Sequence, residues 1–146
     1  MHLLLDTRTF LWMISDDPRL GPRSRDLIAK QADLVLLSLA SLWQIARGTR
    51  GTNGMNSSSG NRASKSSNSP TGGLTVSAAL HWAEASGVQL LPIQTAHLIA
   101  LEQLPPHHQD PFDRLLLAQA IHTPLALMSA NDALRPYGCL LVDPRR

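Results

Sequence analysis

Apolar residues in this chain fall into short uninterrupted runs, separated by longer segments in which they recur at helical spacing. The first run, His2-Leu3-Leu4-Leu5, is closed by Asp6, and residues 34–37, 88–93, 125–129 and 139–142 repeat the pattern. None of these runs alternates with polar residues, so each predicts a strand buried on both faces rather than one washed on one side. Between them, residues 9–15, 23–32, 39–47, 75–86, 95–104 and 132–137 have helical composition. The strongest helix signal is 110–122, where Asp110 stands at the cap and Pro111 at the first helical position. Ser38 can cap the helix of 39–47 in the same way. Strands alternating with helices imply an α/β fold with a largely parallel sheet covered on both faces. Ligands of such sheets sit at the carboxyl ends of the strands, where Asp6, Ser38 and Ser129-Ala130-Asn131 fall.

The length, 146 residues, suits one domain over 1–146 with a single working core. Residues 48–73 break the pattern: they are rich in Gly, Ser, Asn and Thr with almost nothing apolar, and predict a flexible internal insert. Apolar residues make up 43% of the chain and the formal net charge is +2, a balance that admits a polyanionic partner without requiring one. The distribution is more telling, because no Asp or Glu occurs between Asp33 and Glu84, whereas Arg47, Arg50, Arg62 and Lys65 do. One cysteine, Cys139, excludes an internal disulfide framework and suits a small core residue in a reducing cytoplasm. The apolar start is interrupted by Asp6 and Arg8 and is too short to span a membrane or to act as a signal peptide.

Four places could carry chemistry. A carboxylate just past a buried strand, Asp6, either binds a cation that compensates its burial or caps the following helix. Asp110 and Asp113 stand three apart and share a helix face at its positive end, which suits a ligand and equally an ordinary helix opening. Ser41 and Gln44 have the spacing of a capping pair. Asn131-Asp132 follow a strand and can cap a short helix. His107 and His108 lack the spacing of a closed zinc site and are taken as loop residues. Trp12, Trp43 and Trp82 are expected in the core, and no Gly-Lys-Ser/Thr phosphate loop occurs.

Several of these segments together resemble the PIN-domain family, in particular the VapC-like ribonuclease toxins of type II toxin–antitoxin pairs. The resemblance spans nearly the whole chain outside the insert. It is carried by Leu5-Asp6-Thr7 with Leu11-Trp12, by Asp17-Pro18-Arg19-Leu20, by Ser41-Leu42-Trp43-Gln44-Ile45-Ala46, by Leu91-Pro92-Ile93, and above all by the run from Leu104 to Ala120 around Asp110-Pro111-Phe112-Asp113-Arg114. It implies a three-layer α/β/α fold and a metal-dependent endoribonuclease, in which an acidic cluster holds Mg²⁺ or Mn²⁺ and activates water against an RNA phosphodiester.

On this resemblance Asp6 matches the first acid and Asp113 the helix acid, with Asp110 an extra carboxylate beside it. Gln44 stands where the family usually has Glu, and Asn131 where it usually has Asp; Asp132 is one place late. Thr7, Ser129 and Arg114 are the implied substrate-positioning neighbours. Each amide keeps the volume of a carboxylate and loses its charge, so a hard cation would be held more weakly. The implied partners are RNA, a cognate antitoxin and a second copy of the chain. The alternative within the resemblance is a PIN domain that has lost catalysis and keeps RNA or antitoxin binding. From the sheet pattern alone, Asp6 could also be a phosphoacceptor, although Arg8 stands where that chemistry wants a second acid.

Overall fold

The computed structural model describes residues 1–50 and 73–146. Five strands form one sheet: β1 (His2–Leu5), β2 (Leu34–Ser38), β3 (Gln89–Leu91), β4 (Ala126–Met128) and β5 (Leu141–Val142). Their order is β3-β2-β1-β4-β5 and every pairing is parallel. The helices are α1 (Thr7–Ile14), α2 (Pro22–Asp26) continued by a π-helical turn (Leu27–Gln31), α3 (Leu39–Arg50), α4 (Val76–Ala85), α5 (Thr95–Gln103) and α6 (Pro111–His122), with a 3₁₀ segment at Asp132–Tyr137.

The uninterrupted apolar runs have the predicted consequence. Along β1, Leu3 and Leu5 enter one core with Phe10, Leu37, Ile45, Ala83 and Met128, while Leu4 enters a second core with Leu36, Leu116, Leu117, Leu127 and Leu134. Because side chains alternate across a strand, a strand that is apolar at every position must be covered twice, and the fold is a sheet between two helical layers. Chain order runs outward from β1 to β2 and β3 on one side, then crosses to β4 and β5 on the other. The reversal lies between β1 and β4, where a crevice opens beyond the strand ends.

Several sequence expectations shift. Helix α1 begins at Thr7, not at residue 9, because Asp6 itself is the cap. The edge strand β3 is shorter than 88–93 and partly exposed, and β5 covers only the second half of 139–142. The first residues of the predicted 48–73 insert belong to the end of α3, and 51–72 lie outside the described residues. Trp12 is buried, but Trp43 and Trp82 are exposed: on α3, Leu42 and Ile45 take the core positions that would otherwise hold Trp43. Among the described residues no helix is long and apolar enough to cross a membrane.

Candidate active site

The crevice at the sheet reversal has a volume of about 420 Å³ and is lined by Asp6, Thr7, Arg8, Gln44, Asp110, Asp113, Ala130 and Asn131. Residues from four distant segments therefore meet at one place. Asp6 arrives at the end of β1, whose last ladder bond continues as Asp6 N–H to Met128 O at 3.1 Å. Gln44 comes from α3, Asp110 and Asp113 from the first turn of α6, and Asn131 from the turn after β4.

The sequence poses a choice between cap and ligand; these side chains do cap helices, and they also line the crevice. Asp6 Oδ1 accepts the Thr9 N–H at 2.7 Å and caps α1. Asp110 Oδ1 accepts the Phe112 and Asp113 N–H groups at 2.8 and 3.3 Å and caps α6. Asn131 Oδ1 accepts the Ala133 N–H at 3.1 Å and caps the 3₁₀ segment. In each case the cap fixes one atom of the side chain while the residue still lines the crevice. Helix starts are thus what aim the polar groups.

The electrostatics set the crevice apart from an ordinary polar surface. Burial pushes the Asp6 carboxyl above the usual carboxylate range, opposed by hydrogen bonds from Ser129 and Thr9 and reinforced by the charge of Asp113. Two carboxylates within electrostatic reach, one of them buried, are an arrangement that a cation relieves. The amides respond differently. Asn131 Nδ2 donates to Asp113 Oδ2 at 3.1 Å, and Gln44 Oε1 accepts the Thr7 hydroxyl at 2.6 Å. Among the described residues no three of His, Cys, Asp and Glu stand together as a metal-ligand group. Asp6, Asp110 and Asp113 are the carboxylates of the crevice; Asp6 and Asp113 could hold a cation only with water completing its shell, since the three do not close into one cluster.

Not every predicted site residue lines the crevice. Ser129 is buried behind it, its hydroxyl on Asp6 and also accepting the Asn131 N–H at 3.2 Å, so it positions rather than touches. Arg114 turns away: its guanidinium donates to the carbonyls of Pro105 and His108 at 3.0 and 3.1 Å, and so fixes the loop before α6 rather than a substrate. Ser38, placed by sequence at the same sheet edge, is buried between sheet and helix, its hydroxyl donating to Gln119 Oε1 at 2.6 Å and accepting the Ala40 N–H at 3.0 Å. Ser41 does not pair with Gln44 as a cap; it lies inside α3 with a buried hydroxyl that has no hydrogen-bond partner among the described residues. Asp132, one place beyond Asn131, pairs with Arg135 at the surface.

Two residues escape the sequence reading. His108 is more than a loop residue, since its Nε2 lies 3.0 Å from Asp113 Oδ2 and 3.5 Å from Asn131 Nδ2. Arg8 lines the crevice and supplies its cation. The only sequence signal for His108 was its place five residues before Asp113, too loose a spacing to find it.

A family model described as the PIN domain matches residues 3–138. No curated protein matches the chain at a significant level. Among solved structures, a chain of VapBC2 from Rickettsia felis bound to a DNA fragment from their promoter is similar over 97% of this chain and 98% of that one, with a TM-score of 0.65 and 14% identity. A chain of the DNA-bound VapBC from Salmonella typhimurium gives a TM-score of 0.64 and 18% identity over 99% and 98% of the two chains. A chain of a toxin–antitoxin complex from Klebsiella pneumoniae gives 0.57 and 16% over 97% of each. At these identities the likeness is one of fold.

Proposed function

We propose, because this chain belongs to the PIN-domain family, that it is a VapC-type endoribonuclease toxin acting on RNA in the cytoplasm, with an acidic site reduced by two amides and with a cognate antitoxin as partner. The observation that carries this reading is the meeting of Asp6 and Asp113 across a polar crevice at the sheet reversal, flanked by Gln44 and Asn131. Asp6 and Asp113, with Asp110 beside them, would hold a Mg²⁺ or Mn²⁺ ion, which would supply charge neutralisation and activation of water for phosphodiester hydrolysis. The chain's own residues do the rest. Arg8 at the crevice offers a cation to an RNA phosphate. Ser129 and Thr9 hold the Asp6 carboxylate in place, and Thr7 fixes the Gln44 amide. The antitoxin partner is supported by similar chains being parts of toxin–antitoxin complexes, and a homodimer is the assembly the family resemblance implies.

A second reading has its own observation. The Asn131 amide already donates to Asp113, which is what a cation would otherwise satisfy. On that reading the chain is a PIN domain that binds RNA or antitoxin without cleaving. Calorimetry with Mg²⁺ and Mn²⁺ on the chain and on a Gln44→Glu, Asn131→Asp variant, followed by RNA cleavage with both, separates the two. Weak metal binding with slow, metal-dependent cleavage by the parent, both strengthened in the variant, supports the reduced nuclease. Cleavage by the variant alone supports the silent domain. Metal binding by neither removes the nuclease reading and leaves the carboxylates as helix caps.

A further inference from the structure

Trp43 is 59% exposed, an unusual place for an indole on a helix whose Leu42 and Ile45 are buried. Its ring does not lie loose. It packs on Phe112 with centroids 5.1 Å apart and planes tilted by 54°. The Arg47 guanidinium, one helical turn along α3, sits 5.9 Å from the Trp43 ring and 5.4 Å from the Phe112 ring. These three side chains join α3 to the start of α6 and form an aromatic ledge carrying a cation.

The position of the ledge matters as much as its chemistry. Trp43 directly precedes Gln44, and Phe112 lies between Asp110 and Asp113; all three of those polar residues line the crevice. The ledge therefore springs from the same turns of α3 and α6 as the crevice lining, although its own three side chains stand outside that lining. Its cation belongs to a stretch, from residue 34 to 83, that contains no acid. An exposed aromatic face with an adjacent arginine is the combination that holds a single-stranded nucleic acid, the ring stacking a base and the guanidinium meeting its phosphate.

We infer that Trp43, Phe112 and Arg47 form a subsite that stacks an unpaired RNA base next to the phosphodiester in the acidic crevice. This rests on the RNA-directed reading above and adds to it the three side chains that would hold the base. A base in a helix has both faces covered by its neighbours and cannot take the ledge; one at a loop or a strand end can.

The test uses the full chain in EDTA, so that binding is read without cleavage, with a fluorescein-labelled single-stranded RNA of mixed sequence and its duplex as probes. Trp43→Ala is expected to weaken single-strand binding by about five- to a hundredfold, and Trp43→Phe, which keeps a stacking face, to retain most of it. Arg47→Ala is expected to lower the slope of log affinity against log salt by about 0.7. Trp82→Ala removes another exposed tryptophan, one on α4 and not part of the Trp43–Phe112–Arg47 cluster, and is expected to bind as the parent does. Equal affinity for Trp43→Ala and parent overturns the ledge while leaving the RNA reading intact. Absence of RNA binding by the parent removes both. If Trp43→Ala instead changes the oligomeric state in light scattering and leaves RNA affinity untouched, the ledge is a protein interface and the inference fails.

Discussion

Replacing Asn131 by Asp would put a carboxylate where an amide now donates to Asp113. At the 3.1 Å separating Asn131 Nδ2 from Asp113 Oδ2, two like charges repel by about 1 kcal/mol in water and about 5 kcal/mol at an effective dielectric of about 20. The Asp113 side chain is only 25% exposed, so the true figure lies between these limits. The variant also loses a hydrogen bond to a charged acceptor, in the range of about 1.5–3 kcal/mol. The Ala133 cap survives, because a carboxylate oxygen can accept that N–H as the amide oxygen does. Allowing both carboxylates to turn toward solvent, the net loss is about 3 kcal/mol, or roughly 6–12 °C in Tm at about 2–4 °C per kcal/mol. A divalent cation at about 100 times its Kd returns about 2.7 kcal/mol. Thermal melts of parent and Asn131→Asp in EDTA, and again in excess Mg²⁺ or Mn²⁺, should therefore show the variant well below the parent without metal and nearly level with it when metal is present. The melts are repeated in a His108→Gln background, because His108 Nε2 lies 3.0 Å from the same oxygen. A variant that melts with its parent in EDTA would mean that the amide is not holding Asp113. Equal stabilisation of both chains by metal would mean that the missing carboxylate does not limit binding.

Two further predictions rest on the same geometry. Burial raises the Asp6 carboxyl above its ordinary range, so the fold favours its protonated form; the penalty for ionising it is absent below the unfolded value and grows as pH rises through the folded one. Asp6→Asn keeps an acceptor for Thr9 and should melt above the parent at neutral pH, with the gap closing toward about pH 4; a gap that widens on acidification would contradict this. Gln119→Leu should lower stability by about 1–3 kcal/mol, because it strands the fully buried Ser38 hydroxyl, and Ser38→Ala in that background should recover part of the loss in denaturant melts; no recovery would place the loss in packing instead.

The sheet was legible in the sequence because its signal is strong and local. Runs such as Leu3-Leu4-Leu5 and Leu34-Val35-Leu36-Leu37 are apolar at every position, and only a strand covered twice uses them. The opening of α6 was equally plain from Asp110-Pro111. What composition does not carry is direction. Trp43 and Leu42 are neighbours with similar apolar character, and only the angle at which α3 meets the sheet decides that the leucine is buried and the tryptophan is not. The same holds for Arg114, a cation beside an acid in sequence, whose guanidinium the Pro105-Pro106 turn brings back onto loop carbonyls. His108 was invisible for the opposite reason: its partner Asp113 is close, but the loop path between them is not written in any periodicity.

The sheet order also dictates a sequence of events during synthesis. Strand β1 lies at its centre and pairs with β4 through Leu3↔Ala126, Leu4↔Leu127 and Leu5↔Met128. Such a pairing cannot form until β4 has left the ribosome, and loop closure over that span is slow. Asp6 follows β1 and Asn131 follows β4, so the crevice they share cannot exist on a chain made only as far as β3. A nascent chain is therefore without that crevice until residues beyond β4 emerge, and until then β1 is an edge strand whose backbone groups on the β4 side are unpaired.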